Sequence, residues 1–280
     1  MRDTRDMLLV LLSSLLMLTG CSRRDILDDY PVSGVEISLD WNGVTNKLPE
    51  GVRVIFYPKN AEGRKIDTYL SVKGGKVKVP PGRYSVVVYN YDTETVQIRG
   101  EEAYETIEAF TGHCNGLGIA GTEQLVWGPD LLYVVRIDDL KIENSEEELQ
   151  LNWKPKLVVK TYSFKLKVQG LEYVSSIVGS IEGMSSCYDL GLGCGKAGDS
   201  PIYFAARGSA GEVTGSFTVF GTSEGVISRA GNAIKLTLAF VKTDNKVQKM
   251  EVDITEVIAN SESGGSGGDD DGDEPFKEIE

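Results

Sequence analysis

The chain has 280 residues, room for about two domains of ordinary size. Its 41% hydrophobic and 25% charged residues suit a globular protein and are too apolar for a disordered one. Lys plus Arg number 29 against 42 Asp plus Glu, a formal charge of −13, which argues against a nucleic-acid binder or a polybasic membrane binder, since both need positive surface to meet phosphate.

Residues 7–18 form an apolar run broken only by Ser13 and Ser14 and preceded by Arg2 and Arg5. At about 1.5 Å per residue the run is short for a hydrocarbon core of about 30 Å. It has the size of a signal-peptide core. It ends in Leu18-Thr19-Gly20-Cys21: an aliphatic residue, two small residues and a Cys. That pattern resembles the bacterial lipobox, where signal peptidase cuts before the Cys, the thiol takes a diacylglycerol and the new amine is acylated. The expectation is a signal peptide over residues 1–20, a lipid on Cys21 and a polar tether over residues 21–34. Three acyl chains anchor firmly where a single chain holds only marginally.

The body of the chain reads as β. Val35, Ile37, Leu39 and Trp41 alternate with Glu36, Ser38 and Asp40, a period of two with one dry and one wet face. Val52, Val54 and Phe56 alternate with Arg53, Ile55 and Tyr57. Lys76-Val77-Lys78-Val79 leads into the turn signal Pro80-Pro81-Gly82-Arg83. Tyr84-Ser85-Val86-Val87-Val88-Tyr89 follows, dense in β-branched and aromatic residues. Tyr162, Phe164, Leu166 and Val168 alternate with Ser163, Lys165, Lys167 and Gln169. Further strands are expected at Phe217-Thr218-Val219-Phe220, over residues 234–241, and where Met250, Val252 and Ile254 alternate with Glu251, Asp253 and Thr255. One helical turn fits residues 172–176, and no long amphipathic helix is visible. Short strands separated by turn signals predict an all-β fold of antiparallel sandwiches.

Asn144-Ser145-Glu146-Glu147-Glu148 is a polar run between two strand-rich halves. It predicts a boundary between one sandwich over residues 35–145 and another over residues 146–260. After Asn260 the composition falls to Ser, Gly and Asp, which cannot offset ordering entropy by burial. Residues 261–280 are therefore expected to form a flexible acidic tail.

Motifs that suggest chemistry are weak. Gly116-Leu117-Gly118-Ile119-Ala120-Gly121 matches G-x-G-x-x-G, but no buried strand precedes it and Gly128-Pro129 leaves little room for a helix after it. It reads as a glycine-rich loop, not a dinucleotide site. Residues 267–278 overlay an EF-hand loop, with Gly267 at the first ligand position and Pro275 late in the loop, so no specific calcium site is expected. His113, the single His, precedes Cys114, and neighbours on a strand point apart. Cys114, Cys187 and Cys194 follow Cys21. Export permits disulfides; Cys187 and Cys194 either close a small glycine-rich loop or stay as thiols. No catalytic group, metal-ligand set or cofactor motif emerges, and the chain does not read as an enzyme.

Several segments together carry a resemblance. They are Pro80-Pro81-Gly82-Arg83-Tyr84 into Val86-Val87-Val88-Tyr89-Asn90, then Trp127-Gly128-Pro129-Asp130-Leu131-Leu132-Tyr133, then Thr161-Tyr162-Ser163-Phe164-Lys165-Leu166. Ile181-Glu182-Gly183-Met184-Ser185, Gly215-Ser216-Phe217-Thr218-Val219-Phe220-Gly221 and Val252-Asp253-Ile254-Thr255 follow in order. With the lipobox, this order resembles the fimbrillin-like lipoproteins of Bacteroides-type fimbriae, most closely their anchor or minor-subunit branch. The resemblance implies two tandem transthyretin-like β-sandwiches, no cofactor and no metal. It implies a lipid-anchored outer-membrane protein exposed at the cell surface, engaging fimbrial subunits by β-strand addition. On that reading residues 127–133 close the first domain, and the Gly/Asp tail is a poor donor strand. The competing reading is a surface glycan- or ligand-binding lipoprotein, which needs exposed aromatic platforms. Trp41, Trp127 and Trp153 are the three Trp residues, and Trp41 lies on the apolar face of its strand.

Overall fold

The computed structural model describes residues 33–60, 63–114, 124–145, 147–197, 200–221, 233–263 and 276–279. In chain order the first strands are β1 (Ser33–Leu39), β2 (Gly51–Pro58), β3 (Ile66–Ser71), β4 (Gly74–Val79) and β5 (Gly82–Asn90). Then come β6 (Val96–Arg99), β7 (Glu108–Thr111), β8 (Val126–Trp127), β9 (Tyr133–Ile142), β10 (Leu149–Trp153) and β11 (Lys156–Leu157). The remainder holds β12 (Val159–Lys167), a 3-10 turn (Leu171–Tyr173), β13 (Val174–Glu182), β14 (Ser185–Asp189), β15 (Cys194–Ala197), β16 (Ile202–Ser209) and β17 (Glu212–Phe220). It ends with β18 (Lys235–Lys242), β19 (Val247–Asp253), helix α1 (Thr255–Ser263) and β20 (Phe276–Ile279). The fold is all-β, as the alternating patterns predict.

The first sheet runs β10-β1-β4-β3-β2-β5-β9-β11. Its inner face carries Val35, Ile37, Val54, Phe56, Val86 and Trp153, which pack together. The outer face of β2 and β5 is apolar too: Ile55, Tyr57, Val87 and Tyr89 are buried in a second cluster. Strands buried on both sides need apolar residues at successive positions, which is why Val86-Val87-Val88 has no wet partner. Ile55 and Val87 are fully buried, and each stabilises the fold by about 1.5–3 kcal/mol.

The second sheet covers that outer face. Its order is β15-β14-β7-β6, so a hairpin from the second half of the chain pairs with a hairpin from the first. Ile107 and Ala109 meet Tyr188 and Leu190 there, with Val158, Val159 and Phe220 in the same cluster.

The third sheet runs β19-β18-β13-β16-β17-β12-β20, with β8 paired to β16. Its core holds Tyr162, Phe164, Phe204, Phe217, Leu238 and Ile258. Gly179 on β13 lies against the Phe204 ring, where a Cβ would collide with the ring. Helix α1 buries Ile258 one turn after Ile254, closing the end of this core.

Two expectations are corrected. The polar run at residues 144–148 is not a domain boundary. It carries the chain from β9 to β10, which adds parallel to β1 with Val35 opposite Leu149 and Leu39 opposite Trp153. Only Lys154 and Pro155 then separate β10 from β11, which pairs with β9, so consecutive strands occupy the two edges of the first sheet. Residues 127–133 do not close the first half, because β9 follows and pairs along β5. The halves also share strands. β14 and β15 cross into the second sheet, β8 crosses into the third, and the β1/β10, β8/β16 and β12/β20 pairs are parallel.

Candidate functional site

The third sheet has two edges of different character. β19 presents exposed Gln248, Lys249, Glu251 and Asp253. Charge along an edge opposes pairing with another chain. At the other edge lies β12, and there the chain supplies its own cover: β20 runs parallel to it, Thr161 opposite Phe276 and Phe164 opposite Ile279. The terminal residues expected in a flexible tail therefore include the last turn of helix α1, residues 261–263, and an edge strand. Residues 264–275, which join them, lie outside the described residues.

The junction between the halves is polar as well as apolar. Lys196 on β15 bonds Glu108 on β7 and Asp189 on β14, each at 2.9 Å, and Arg99 on β6 also bonds Glu108. Asp189 is almost fully buried, and its other oxygen accepts the Leu192 N–H at 2.8 Å. Burial opposes charge on Glu108, but Lys196 and Arg99 outweigh it and hold the carboxyl below its ordinary value. The ion network thus fastens the crossing hairpin to the first half.

On the outer face of the first sheet, Arg53 of β2 is held from two sides. Asp67 takes it in a two-point pair at 2.9 and 2.7 Å, and Glu101 accepts at 2.5 and 3.0 Å. Tyr89 accepts a further bond from Arg53 at 2.8 Å. The Asp67 pair chiefly raises the arginine further above its already high value and draws the Asp67 carboxyl below the ordinary range. Beside this network lies an open cleft of about 1010 Å³ between Tyr57, Tyr104, Arg136 and the Gly191-Leu192 turn. Several of its polar groups are mutually bonded: Arg136 with Asp138, Tyr104 with Asp138, Lys65 with Glu102.

Of the residues singled out in the sequence, Cys21, the glycine run 116–121 and most of the EF-hand-like stretch lie outside the described residues. Cys187 and Cys194 are not bonded to each other in this structure. The register explains it. Cys187 faces Lys196 and Cys194 faces Asp189. Diagonal neighbours stand about 7–8 Å apart, beyond the roughly 4 Å between Cβ atoms that a disulfide requires. Cys114 is half-buried and burial pushes its thiol up to about 11. Sequence reasoning missed Arg53, Asp67 and Glu101 as a unit, because their pairing depends on a loop folding back over β2. It also missed β20; Phe276 and Ile279 after the Gly/Asp run were the available signal.

Interlocked antiparallel sheets, with one edge covered by the chain's own terminal strand, define a protein of the all-β class. Comparison with solved structures agrees. A crystal structure of a candidate adhesin from Bacteroides ovatus is 58% identical, covers 94% of each chain and superposes with a TM-score of 0.79. The fimbrial anchor protein Mfa2 of Porphyromonas gingivalis shares the fold at 12% identity and a TM-score of 0.54, covering 81% of this chain and 84% of that one. A Bacteroides ovatus protein named as a candidate fimbrium anchoring subunit, Fim4B, is 62% identical over 96% of this chain and 84% of its own length. Residues 20–205 match the family described as a domain of unknown function, DUF5119. The chain belongs to that family.

Proposed function

We propose that this protein is a fimbrial subunit of the anchoring or terminal kind, with a structural and not a catalytic role. It is held at the outer membrane by lipid on Cys21, faces the cell exterior, and joins the fimbria by strand addition along β12. The observation that carries the reading is the β12 edge itself, which already accepts an extended segment through backbone pairing over four register positions. The names of the relatives support the anchoring role. The charged β19 edge supports β12 as the side that receives a partner. In this arrangement β20 holds the place of the incoming strand and is displaced by it.

A reversible clamp tests this. Ser163 and Glu278 are register partners. Ser163→Cys with Glu278→Cys, in a background with Cys114, Cys187 and Cys194 changed to Ser, locks β20 on β12 when oxidised. The expected result is loss of fimbrial-subunit capture on oxidation and recovery on reduction. Equal capture in both redox states would place the partner elsewhere.

A further inference from the structure

Gly51 on β2 carries no side chain, and the Tyr91 ring uses that space. A Cβ at position 51 would stand 2.8 Å from the Tyr91 hydroxyl and 2.9 Å from its Cε1. The ring therefore rests on bare backbone and meets Tyr69 of β3 edge-on, with centroids 5.3 Å apart and planes at 79°. Tyr69 remains 60% exposed and Tyr91 45% exposed. An aromatic pair kept only for packing buries most of its area, whereas this one is positioned and left open.

What surrounds the pair narrows the ligand. The Arg53 guanidinium stands 5.6 Å from the Tyr69 centroid, so one side of that ring already has its cation. Its donors are committed to Asp67, Glu101 and Tyr89. Asp67 and Asp92 flank the corner as carboxylates; Asp92 accepts the Glu50 N–H at 2.9 Å and the Asn90 amide at 3.0 Å, which fixes it in place. Each carboxylate oxygen retains a free lone pair. The corner thus offers a flat apolar ring face, a second ring at right angles and fixed acceptors on the rim. An anion is repelled by the carboxylates, whose charge Arg53 offsets only in part.

A pyranose fits all three features. One face of the sugar ring shows C–H bonds, and its edge shows hydroxyl donors. We propose that Tyr69 and Tyr91 form a binding subsite for one neutral hexopyranose unit of a glycan, with the sugar's apolar face on a tyrosine ring and hydroxyls donating to Asp67 or Asp92. This site is independent of the β12 edge.

Saturation-transfer NMR on the full mature chain tests it, with methyl β-D-galactopyranoside, methyl β-D-glucopyranoside and methyl α-D-mannopyranoside as neutral probes and glucuronate as the anionic comparison. Probes at about 10 mM exceed the millimolar Kd expected of a single sugar. At least one neutral glycoside should receive saturation on the C–H protons of one ring face, more strongly than glucuronate. Tyr69→Ala or Tyr91→Ala should each reduce the effect about fivefold, the loss of one aromatic contact. Tyr173→Ala, which removes another exposed tyrosine (64%), should leave it unchanged. Silence with all three neutral probes, or equal transfer in the Tyr69→Ala/Tyr91→Ala double variant, would overturn the proposal. So would loss of fimbrial-subunit capture in that variant without any glycoside signal, which would make the corner a protein contact.

Discussion

The two edges of the third sheet are built from the same strand chemistry and end up with opposite exposures. β19 leans on β18 through seven register pairs and turns Lys249, Glu251 and Asp253 outward. β12 pairs with β17 through nine, yet its far side is covered by β20. One edge is guarded by charge, which is permanent at neutral pH. The other is covered by a short terminal segment that follows a Gly/Asp-rich stretch of sequence. On the proposed strand exchange, one sheet would hold a closed side and a side available on demand.

The comparison breaks most sharply if the terminal segment is removed. Deleting residues 264–280 should accelerate amide exchange about 100-fold at those positions of residues 161–164 that point away from β17, since several backbone bonds are lost together. The β19 amides should be unchanged. Comparable acceleration at both edges would mean that the deletion loosens the whole sheet.

A smaller effect is expected from converting the guarded edge. Lys249→Val with Glu251→Val removes outward charge from β19 and should produce concentration-dependent association by sedimentation, while subunit capture through β12 stays constant. If the variant stays monomeric at every concentration tested, charge is not what closes that edge.

The smallest effect concerns the end of β19. Asp253 accepts from the Thr255 hydroxyl at 2.6 Å and from its N–H at 3.0 Å, and these bonds hold its carboxyl below the ordinary value. A carboxyl lowered on folding stabilises above its unfolded value and loses that contribution as the pH falls through the folded one. Helix α1 should therefore fray as the pH drops below about 4, and Asp253→Asn should remove the pH dependence. A protection factor at Ile258 that is flat with pH in the parent protein would refute this.

The legible strands were those with a regular period, β1, β2, β4, β12 and β19, and those dense in β-branched and aromatic residues, β5, β17 and β18. Each places apolar residues on at least one continuous face, and a local pattern reports a face directly. β14 and β15 have no such signature, because their partners, β7 and the outer face of β5, lie some 80 to 100 positions away in the chain. A polar run cannot tell a boundary from a crossover, so residues 144–148 misled. Helix α1 has only Ile254 and Ile258 to mark its buried side before the Ser/Gly stretch begins. At the candidate surfaces, Tyr69 and Tyr91 were unreadable as a pair, since it is the empty side chain of Gly51 that lets one reach the other.

β1 has one more consequence. It lies between β4 and β10, bonded on both sides, and the chain enters it at Ser33. In a protein held by its N-terminal segment, any tension arrives along the axis of this strand. The backbone bonds to both neighbours then bear the load side by side, in shear, and must yield together instead of peeling one after another. Resistance to forced unfolding is set by the rate of that first rupture. On the proposed attachment, a tug on the filament would therefore enter at the β12 edge and be taken up at the other end by an interior strand of the first sheet.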